Sequence, residues 1–534
     1  MASHTPSQRY LSTRGGSYDF SFEDVVLKGL AADGGLFIPE EIPALPQGWQ
    51  TEWANLSFEE LAVNIFSLYI SPSEIPPADL KELVRKSYAT FRDPSVTPTV
   101  TLDPTRNVHL LELFHGPTFA FKDVALQFLG NLFEYFLVRR NADKSAADRE
   151  HLVVIGATSG DTGSAAIYGL RGKKDLSVFI MHPKGKISPV QEAQMTTVLD
   201  ANVHNLAVEG TFDDCQDFVK ALFADTEFNK THRLAAVNSI NWARILAQIT
   251  YYFASYFALR RANPSQQSIR FVVPTGNFGD ILAGYFAKRM GLPITQLVIA
   301  TNENDILHRF WRSGRYEKHE VRGPAAAGGL PQDGVKAHEA GVKETLSPAM
   351  DILVSSNFER LLWFLAHDVL GSGDEASRRK TAGEAVNGWL QALKTEGGFA
   401  VPEEVLAKAR QNFATERVSD AQTLATITGA YKWAKGYVLD PHSAIGIAAA
   451  ERVVQQGAEG DVVALATAHP AKFSGAVELA LAQEKAFDFK AHVQPKEFAG
   501  LEDLPRRVTT VRREDGLEGV RKVVLEEVAA EGAA

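Results

Sequence analysis

The sequence predicts an α/β protein whose parallel strands are covered by helices, and three observations support that class. From about residue 150 to residue 302, short β-branched runs alternate with amphipathic segments, which is the pattern of a parallel sheet with helices on both faces. Two Gly-rich loops follow strands of this pattern and lead directly into helices. A lysine lies among aromatic residues in "HGPTFAFKD". Ligands bind at the carboxyl ends of such strands, so we expect function in the strand-to-helix loops.

The alternating elements follow one another in chain order. The predicted strands are "HLVVIGA", "SVFIMHP", "HNLAVEG", "RLAAVNSI", "IRFVVPT" and "QLVIATN". The predicted helices between them are "TGSAAIYGL", "SPVQEAQMTTVL", "DCQDFVKALF", "NWARILAQITYYFASYFAL" and "DILAGYFAKRM". The strands are apolar runs too short for helices, and the helices carry apolar residues at helical spacing.

Composition limits the size, partners and location of the protein. A chain of 534 residues exceeds the size of one core, so about two or three domains are expected. A net charge of -10 without a long basic run argues against nucleic acid and anionic membrane as partners. The only cysteine, Cys215, excludes an intrachain disulfide, indicates a reducing compartment and falls on an apolar helical face. No apolar run could span a bilayer or serve as a secretory signal, so we expect a soluble, cytoplasmic protein; organelle import stays open.

The two Gly-rich loops are candidate anion sites. "TSGDTGS" spans residues 158–164 and "GNFGD" spans residues 276–280. Glycines let backbone N–H groups converge on one point, and a helix N-terminus adds partial positive charge. A tight turn that needs glycine only for its backbone freedom is the alternative. Neither loop fits the nucleotide-binding templates.

Lys122 of "FAFKD" is the third candidate. Its stem could lie on apolar surface with the ammonium in water, which is the usual arrangement. If the ammonium is desolvated instead, its pKa falls and a neutral amine becomes available for Schiff-base chemistry. Asp123 is expected to cap a helix that begins near Val124. Two anion cradles and such a lysine suit pyridoxal phosphate and a substrate that carries a carboxylate.

The chain resembles the threonine synthase family, whose members are pyridoxal-phosphate enzymes of the tryptophan-synthase-like fold. The blocks that carry the resemblance, in order, are "YLSTRGGS", "ADGGLFIPEEIP", "HGPTFAFKD", "TSGDTGSAA", "PKGKISPVQEAQM", "NSINWARILAQ", "PTGNFGDILAGYFAKRMGLP", "ATNENDILHRF", "SPAMDI" and "ATAHPAKF". The resemblance covers nearly the whole chain and is weakest over residues 371–435.

The resemblance implies fold type II, with parallel sheets flanked by helices in two lobes plus an N-terminal region. The smaller lobe is expected to hold "VVIGATSGDTG", and the larger lobe "GNFGD" and "ATAHPAKF". The expected divisions are 1–95 (N-terminal domain), 96–370 (catalytic core), 371–435 (helical insertion), 436–490 (completion of the core) and 491–534 (C-terminal tail, a charged helix whose end is expected to fray).

The resemblance also implies the site residues. Lys122 would form the Schiff base with pyridoxal 5'-phosphate. The other implied cofactor contacts are Gly276, Asn277, Phe278, Gly279 and Asp280 near the phosphate and Thr467 near the pyridine nitrogen. The implied substrate contacts are Ser159, Gly160, Asp161, Thr162, Lys184, Ser239, Asn241 and Arg244. Asp280 could instead be an ordinary first-turn acid, Thr467 a strand-end residue, and Lys184 a surface charge. His469 has no metal-ligand companion at helical spacing, so no metal site is predicted.

The implied activity is that of a lyase of threonine biosynthesis, which converts O-phospho-L-homoserine and water to L-threonine and phosphate. A phospho-lyase or hydroxyamino-acid dehydratase on the same fold is the alternative within the enzymes. A binding module that senses a phosphometabolite is the alternative outside them, and it has no use for Lys122. We expect a monomer or homodimer that binds a small molecule.

Overall fold

The computed structural model describes residues 8–16, 18–105, 108–145, 148–158, 160–265, 268–318 and 341–533. The strands are β1 (Tyr10–Ser12), β2 (Phe37–Pro39), β3 (Thr99–Asp103), β4 (Val108–Glu112), β5 (Leu152–Ala157), β6 (Leu176–Pro183), β7 (Val203–Val208), β8 (Leu234–Ala235), β9 (Ile269–Pro274), β10 (Ile294–Thr301), β11 (Arg315–Glu317), β12 (Gly398–Ala400), β13 (Phe413–Arg417), β14 (Asp461–Ala466) and β15 (Thr509–Val511). The helices are α1 (Phe22–Lys28), α2 (Trp49–Glu52), α3 (Phe58–Tyr69), α4 (Pro77–Tyr88), α5 (Lys122–Arg140), α6 (Asp161–Leu170), α7 (Pro189–Thr196), α8 (Phe212–Ala224), α9 (Thr226–His232), α10 (Trp242–Ala262), α11 (Gly279–Met290), α12 (Ile306–Ser313), α13 (Phe358–Val369), α14 (Glu375–Thr395), α15 (Glu403–Asn412), α16 (Asp420–Trp433), α17 (Pro441–Gln455), α18 (Ser474–Leu481), α19 (Phe489–His492) and α20 (Gly516–Ala533).

Two mainly parallel sheets organise the described residues. One has five strands in the order β15-β7-β6-β5-β8, all parallel. The other has six strands in the order β13-β10-β9-β14-β4-β3, in which only the β3–β4 pair is antiparallel. The central strands β4 and β14 are buried at every position, as parallel strands covered on both faces require.

The alternating pattern of residues 150–302 suggests a single sheet. In the structure these strands belong to two sheets. Strands β5 to β8 lie in the five-stranded sheet, whereas β9 and β10 lie in the six-stranded sheet. The 21-residue helix α10 separates the two groups, and β9 finds its second neighbour in β14, far along the chain. The two-lobe arrangement implied by the resemblance is therefore the observed one, with one Gly-rich loop in each sheet.

Helices α5 and α10 connect the two sheets. Helix α5 is buried around almost its whole circumference and contacts α6 and α10, and α10 in turn packs on α11. A helix that is buried on nearly all sides must lie inside a large core. The N-terminal ends of these two helices therefore lie in the interior, between the lobes.

The N-terminal region docks on this core through named polar contacts. In the predicted block "YLSTRGGS", Thr13 donates a hydrogen bond to Glu359 of α13 at 2.6 Å, and Arg14 donates two to the same carboxylate at 3.1 Å. The buried Arg360 guanidinium donates to the backbone carbonyl groups of Phe37 at 2.8 Å and Ile240 at 2.6 Å. These contacts hold the start of the chain against α13 and α10.

The segments expected to be a helical insertion and a fraying tail are parts of the sheets. Residues 371–435 form three helices, but they also supply β12 and the edge strand β13, which pairs with β10. The predicted tail supplies β15, and Glu531 near the end of α20 accepts a hydrogen bond from Ser177 at 2.7 Å and contacts His204 at 2.6 Å. These contacts join residues that are distant in sequence, so the composition of the segments does not show them, and the division into domains stays a prediction. None of the described helices combines the length and the apolar character needed to cross a membrane.

Candidate active site

The loop before α5 is held in place by the loop after β14. Ala120 and Ala468 form an isolated antiparallel bridge. The backbone N–H of Phe121 donates to the carbonyl of Thr467 at 2.8 Å, and that of His469 donates to the carbonyl of Phe119 at 3.0 Å. Phe119 itself has a left-handed φ of 61°, a conformation that a non-glycine residue keeps only where the surroundings impose it. We call these contacts between residues 119–121 and residues 467–469 the clamp. The clamp fixes the start of α5, where Lys122 lies.

The Lys122 amine is buried and does not extend into water. Lys122 is 9% exposed, and its Nζ lies 2.8 Å from Oδ2 of Asp161 on α6. Burial lowers the pKa of Lys122; the Asp161 carboxylate opposes this, while the positive charges of Lys472 and Arg244 add to it. An amine of this kind loses its proton more readily than a surface lysine.

Asp123 does not cap α5. The helix begins at Lys122, one residue before Asp123, and has no side-chain cap. The Asp123 carboxylate instead accepts hydrogen bonds from the Thr118 backbone N–H at 2.8 Å and its hydroxyl at 2.7 Å. Burial raises the pKa of Asp123 to about 6. A β-carbon on Gly116 would lie 2.4 Å from that of Asp123, so only glycine fits in this turn.

The loop between β5 and α6 brings Asp161 to Lys122. The Thr158 hydroxyl accepts hydrogen bonds from the backbone N–H groups of Gly160 and Gly163, both at 2.9 Å, and so closes the loop. Gly160 has a φ of 135°, and a β-carbon there would lie 2.3 Å from Oε1 of Gln191. Predicted Ser159 lies outside the described residues, and Thr162 lies half-buried in the first turn of α6.

A second buried lysine, Lys472, also contacts Asp161. Its Nζ lies 2.6 Å from Oδ1 of Asp161, 2.9 Å from the Thr118 carbonyl oxygen and 3.4 Å from the Ser164 hydroxyl. Burial alone raises the pKa of Asp161, but Lys122 and Lys472 outweigh it and hold that pKa well below its usual range. Lys472 belongs to the predicted block "ATAHPAKF", yet no spacing rule singles it out. A lysine in an apolar stretch that follows a buried strand is the only signal that could have found it.

The loop between β9 and α11, called the cradle, has the geometry of an anion-binding site. Phe278, the residue before the helix, has a left-handed φ of 65°, and no side chain of the described residues caps α11. A β-carbon on Gly276 would lie 3.1 Å from the Ala349 carbonyl oxygen, so any larger residue would have to push this neighbour away slightly. The Asn277 side chain is exposed. The uncapped N–H groups of a helix N-terminus are the usual binding site of a phosphate.

Two residues of this loop point away from the cradle. The Phe278 ring packs within 6.3 Å of the rings of Trp311, Phe358 and Phe413, measured between centroids, so only its backbone faces the cradle. The Asp280 carboxylate accepts hydrogen bonds from the hydroxyl groups of Tyr251 and Tyr252. Burial raises the pKa of Asp280 to about 7 in spite of these bonds. Its geometry is that of an acid buried beneath the cradle.

The residues before α13 also line the cradle, and sequence reasoning missed them. The Ser355 hydroxyl donates to the Gly276 carbonyl at 2.6 Å, and the Ser356 hydroxyl donates to Oδ1 of Asn277 at 3.2 Å. The Asn357 backbone and side-chain N–H groups both donate to the Asn277 carbonyl at 3.0 Å. Serine and asparagine in a loop are too common to signal such a role.

The structure separates the predicted substrate contacts into those near Lys122 and those elsewhere. Arg244 is buried on α10, and its charge acts on Lys122. Ser239 lies at the rim of the cradle, with its hydroxyl 3.3 Å from that of Ser356. Asn241 instead caps α10 and donates to the Val26 carbonyl at 2.9 Å. Lys184 has a half-exposed side chain that pairs with Glu209 at 3.0 Å, because the loop after β6 turns toward the surface.

Arg244 is the unusual cation of this group. Its Nη1 donates to the Val237 carbonyl at 3.0 Å, its buried Nε has no hydrogen-bond partner, and no carboxylate of the described residues pairs with it. Burial lowers its pKa to about 10. Gln248, one helical turn later, approaches Gly279 of the cradle and has an unpaired Oε1. An unpaired buried cation is costly to keep unless a ligand uses it.

Three family models match consecutive stretches of the chain. Residues 9–88 match "Threonine synthase N terminus", residues 92–352 match "Pyridoxal-phosphate dependent enzyme", and residues 443–524 match "Threonine synthase, C-terminal". The stretches contain the docked N-terminal region, the two Gly-rich loops with Lys122, and the loop with Lys472, respectively.

Comparisons over the whole chain give the same result. Threonine synthase of Schizosaccharomyces pombe is 56% identical over 499 residues, which are 93% of this chain and 94% of that protein. Threonine synthase of Saccharomyces cerevisiae is 52% identical over 532 residues, which are 98% of each. The crystal structure of threonine synthase from yeast aligns with a TM-score of 0.90 at 51% identity, covering 98% of this chain and 99% of that one. The structure of pyridoxal-phosphate-bound threonine synthase from Brucella melitensis aligns with a TM-score of 0.82 at 42% identity, covering 98% and 99%.

Proposed function

The chain belongs to the threonine synthase family, and from this premise we propose that it converts O-phospho-L-homoserine and water to L-threonine and phosphate. It is a pyridoxal-phosphate-dependent lyase with the fold of type II pyridoxal-phosphate enzymes. The proposal adds the substrate, the roles of the individual residues and a cytoplasmic location. A monomer or homodimer stays the expected state.

The residues present suit the cofactor. A phosphate needs several N–H donors, which the uncapped start of α11 offers, and a β-carbon on Gly276 would crowd the Ala349 backbone beside them. An aldehyde needs an amine that gives up its proton, which the buried Lys122 offers. Lys122 and the backbone of Gly276 to Gly279 would hold the two ends of the cofactor. The Thr467 hydroxyl would face the ring nitrogen.

When bound, pyridoxal phosphate supplies an aldehyde that bonds to an amine and a ring that withdraws electrons from the carbons of the bound amino acid. Lys122 would hold the cofactor through its aldehyde carbon in the resting enzyme, and the substrate amine would take the place of the lysine. The freed amine would move one proton at a time: it would take the Cα proton and release it, then take the Cβ proton and return that one to Cγ after the phosphate has left. Water would supply the hydroxyl group at Cβ, a proton would return to Cα, and the departing phosphate would take up the proton that water loses, so the product would have the atoms of threonine.

Arg244 holds the phosphate of the substrate. The phosphate needs a cation, and Arg244 is the buried cation near Lys122 whose Nε is unpaired. A guanidinium offers donors in a planar fork that suits phosphate oxygens. The Ser239 hydroxyl at the cradle rim adds a second donor. The loop of Gly160 and Thr162 offers backbone N–H groups to the substrate carboxylate.

The single observation that carries the proposal is the buried Lys122 amine held 2.8 Å from Asp161. The test is the release of phosphate and threonine from O-phospho-L-homoserine, with serine and threonine as control substrates and Lys122→Ala as the control variant. Phosphate and threonine in equal amounts are expected from the wild type only. Phosphate without threonine, or ammonia from serine or threonine, would favour the phospho-lyase or dehydratase instead. Purified protein that lacks absorbance from a bound cofactor and releases no product would favour the binding module.

A further inference from the structure

Two buried lysines share one carboxylate in the active site. Lys122 lies 2.8 Å from one oxygen of Asp161, and Lys472 lies 2.6 Å from the other. The Lys472 side chain has no exposed surface at all. The mechanism above uses Lys122 and has no step for Lys472, although burying a second ammonium is expensive.

The two ammonium groups differ in their hydrogen-bond partners. Lys472 donates hydrogen bonds to the Thr118 carbonyl and the Ser164 hydroxyl, and it forms an ion pair with Oδ1 of Asp161. Lys122 has the Asp161 carboxylate as its hydrogen-bond acceptor among the described residues. Two hydrogen bonds in addition to an ion pair stabilise an ammonium in a dry site better than contact with one carboxylate alone. The proton is therefore easier to remove from Lys122 than from Lys472.

The charges around the pair reinforce this difference. The groups that act on Lys122 from the neighbouring elements are Asp161 of α6, Arg244 of α10 and Lys472. Asp123 of α5 lies beside them, and burial raises its pKa to about 6. With both lysines protonated, the site holds three cations against one or two carboxylates. Loss of one proton from Lys122 relieves that excess.

We propose that Lys472 is a positioning residue that serves as the permanent counter-ion of Asp161, so that Lys122 can leave Asp161 as a neutral amine. The carboxylate then keeps its charge and its place while Lys122 forms a C–N bond to the cofactor aldehyde, with loss of one water. The proton that Lys122 gives up goes to solvent. This inference rests on the proposed role of Lys122.

The test measures the pH at which Lys122 becomes reactive. Apo protein is mixed with pyridoxal phosphate over a pH series and reduced with borohydride, and the fraction of Lys122 that carries the adduct is measured by peptide mass spectrometry. Lys472→Met removes one cation, so Lys122 becomes the only lysine that pairs with Asp161. The midpoint, which is the pH at which half of Lys122 carries the adduct, should then rise by about 1–2 units. Asp161→Asn removes the anion, so the midpoint should move to lower pH. Lys472→Arg keeps the cation and should leave the midpoint in place.

The outcomes distinguish a positioning role of Lys472 from a role in packing alone. A Lys472→Met variant with less adduct at every pH and an unmoved midpoint overturns the inference, and so does an adduct on Lys472 of the wild type. If Lys472→Met does not fold, Asp161→Asn with an unchanged midpoint is sufficient to overturn it. Lys122→Ala separates this inference from the proposed function: an equal yield of adduct elsewhere in that variant would refute the role of Lys122 itself.

Discussion

Replacing Arg244 by methionine is expected to weaken substrate binding while leaving the folded protein as stable as before or more stable. The side chain of Arg244 is buried, donates one hydrogen bond to Val237 and leaves Nε without a partner. An unsatisfied buried donor costs about 1–3 kcal/mol, and one hydrogen bond contributes about 0.5–1.5 kcal/mol. Removing both with a side chain of similar length should therefore change the free energy of unfolding of the apo protein by between about −0.5 and +2.5 kcal/mol, which is neutral or stabilising over most of that range.

The effect on the substrate has the opposite sign. A hydrogen bond to a charged group contributes about 1.5–3 kcal/mol, which corresponds to roughly a 10- to 100-fold loss of affinity for the substrate phosphate. The Arg244→Met variant should bind pyridoxal phosphate normally, show KM for O-phospho-L-homoserine raised by about that factor, and lose inhibition by inorganic phosphate. Arg244→Lys keeps the charge on a shorter side chain, so its KM should lie between those of the wild type and Arg244→Met.

Denaturant unfolding of apo protein and steady-state kinetics measure the two effects separately. An Arg244→Met variant that unfolds more easily by several kcal/mol would show that the arginine is kept for its bond to Val237. Unchanged KM and unchanged phosphate inhibition would show that the substrate phosphate binds elsewhere. Either result refutes the reasoning from the unpaired cation.

Three further predictions concern residues whose surroundings are known. Lys184→Met should leave KM within about twofold of the wild type, because a half-exposed ion pair contributes little; a rise as large as that of Arg244→Met would place the phosphate near Lys184. Asp280 has a pKa raised by burial from 3.8 to about 7, so its stabilising contribution is complete below pH 3.8 and lost as pH rises through 7. The wild type should therefore lose stability between about pH 5 and about pH 8, whereas Asp280→Asn should not lose this contribution. If the difference in free energy of unfolding between the two proteins is the same at both pH values, the raised pKa of Asp280 is contradicted. Gly160→Ala should lower both Tm and activity, because its β-carbon would lie 2.3 Å from Gln191 and its φ suits only glycine. Gly475→Ala, where a β-carbon meets nothing within 4 Å, is the matched control and should not lower either.

The sequence was sufficient to predict the elements around the site, and less so their assembly. Apolar runs such as "HLVVIGA" and "IRFVVPT" specify strands locally, so β5 and β9 appear within one or two residues of prediction. Which sheet a strand joins depends on partners that are distant in sequence. The run "RLAAVNSI" also does not show that β8 has only two residues. Local patterns cannot show such long-range pairing.

The same distinction applies to the site. Lys122 could be predicted because its aromatic neighbours are adjacent in sequence. Lys472 and Asn357 could not, since their partners come from other elements: Thr118 and Asp161 for one and Asn277 for the other. The predicted roles of the individual site residues, like the domain boundaries, stay predictions.

The order in which the clamp around Lys122 is completed has a consequence for synthesis of the chain. Strand β14 lies between β9 and β4, and its following loop holds the backbone of Phe119 and Phe121. Until a ribosome has translated residues 461–469, β9 and β4 each have an unpaired edge that invites association with other nascent chains. Chaperone binding to this intermediate should therefore end late in translation, and truncated chains that stop before β14 should aggregate and fail to turn yellow with the cofactor.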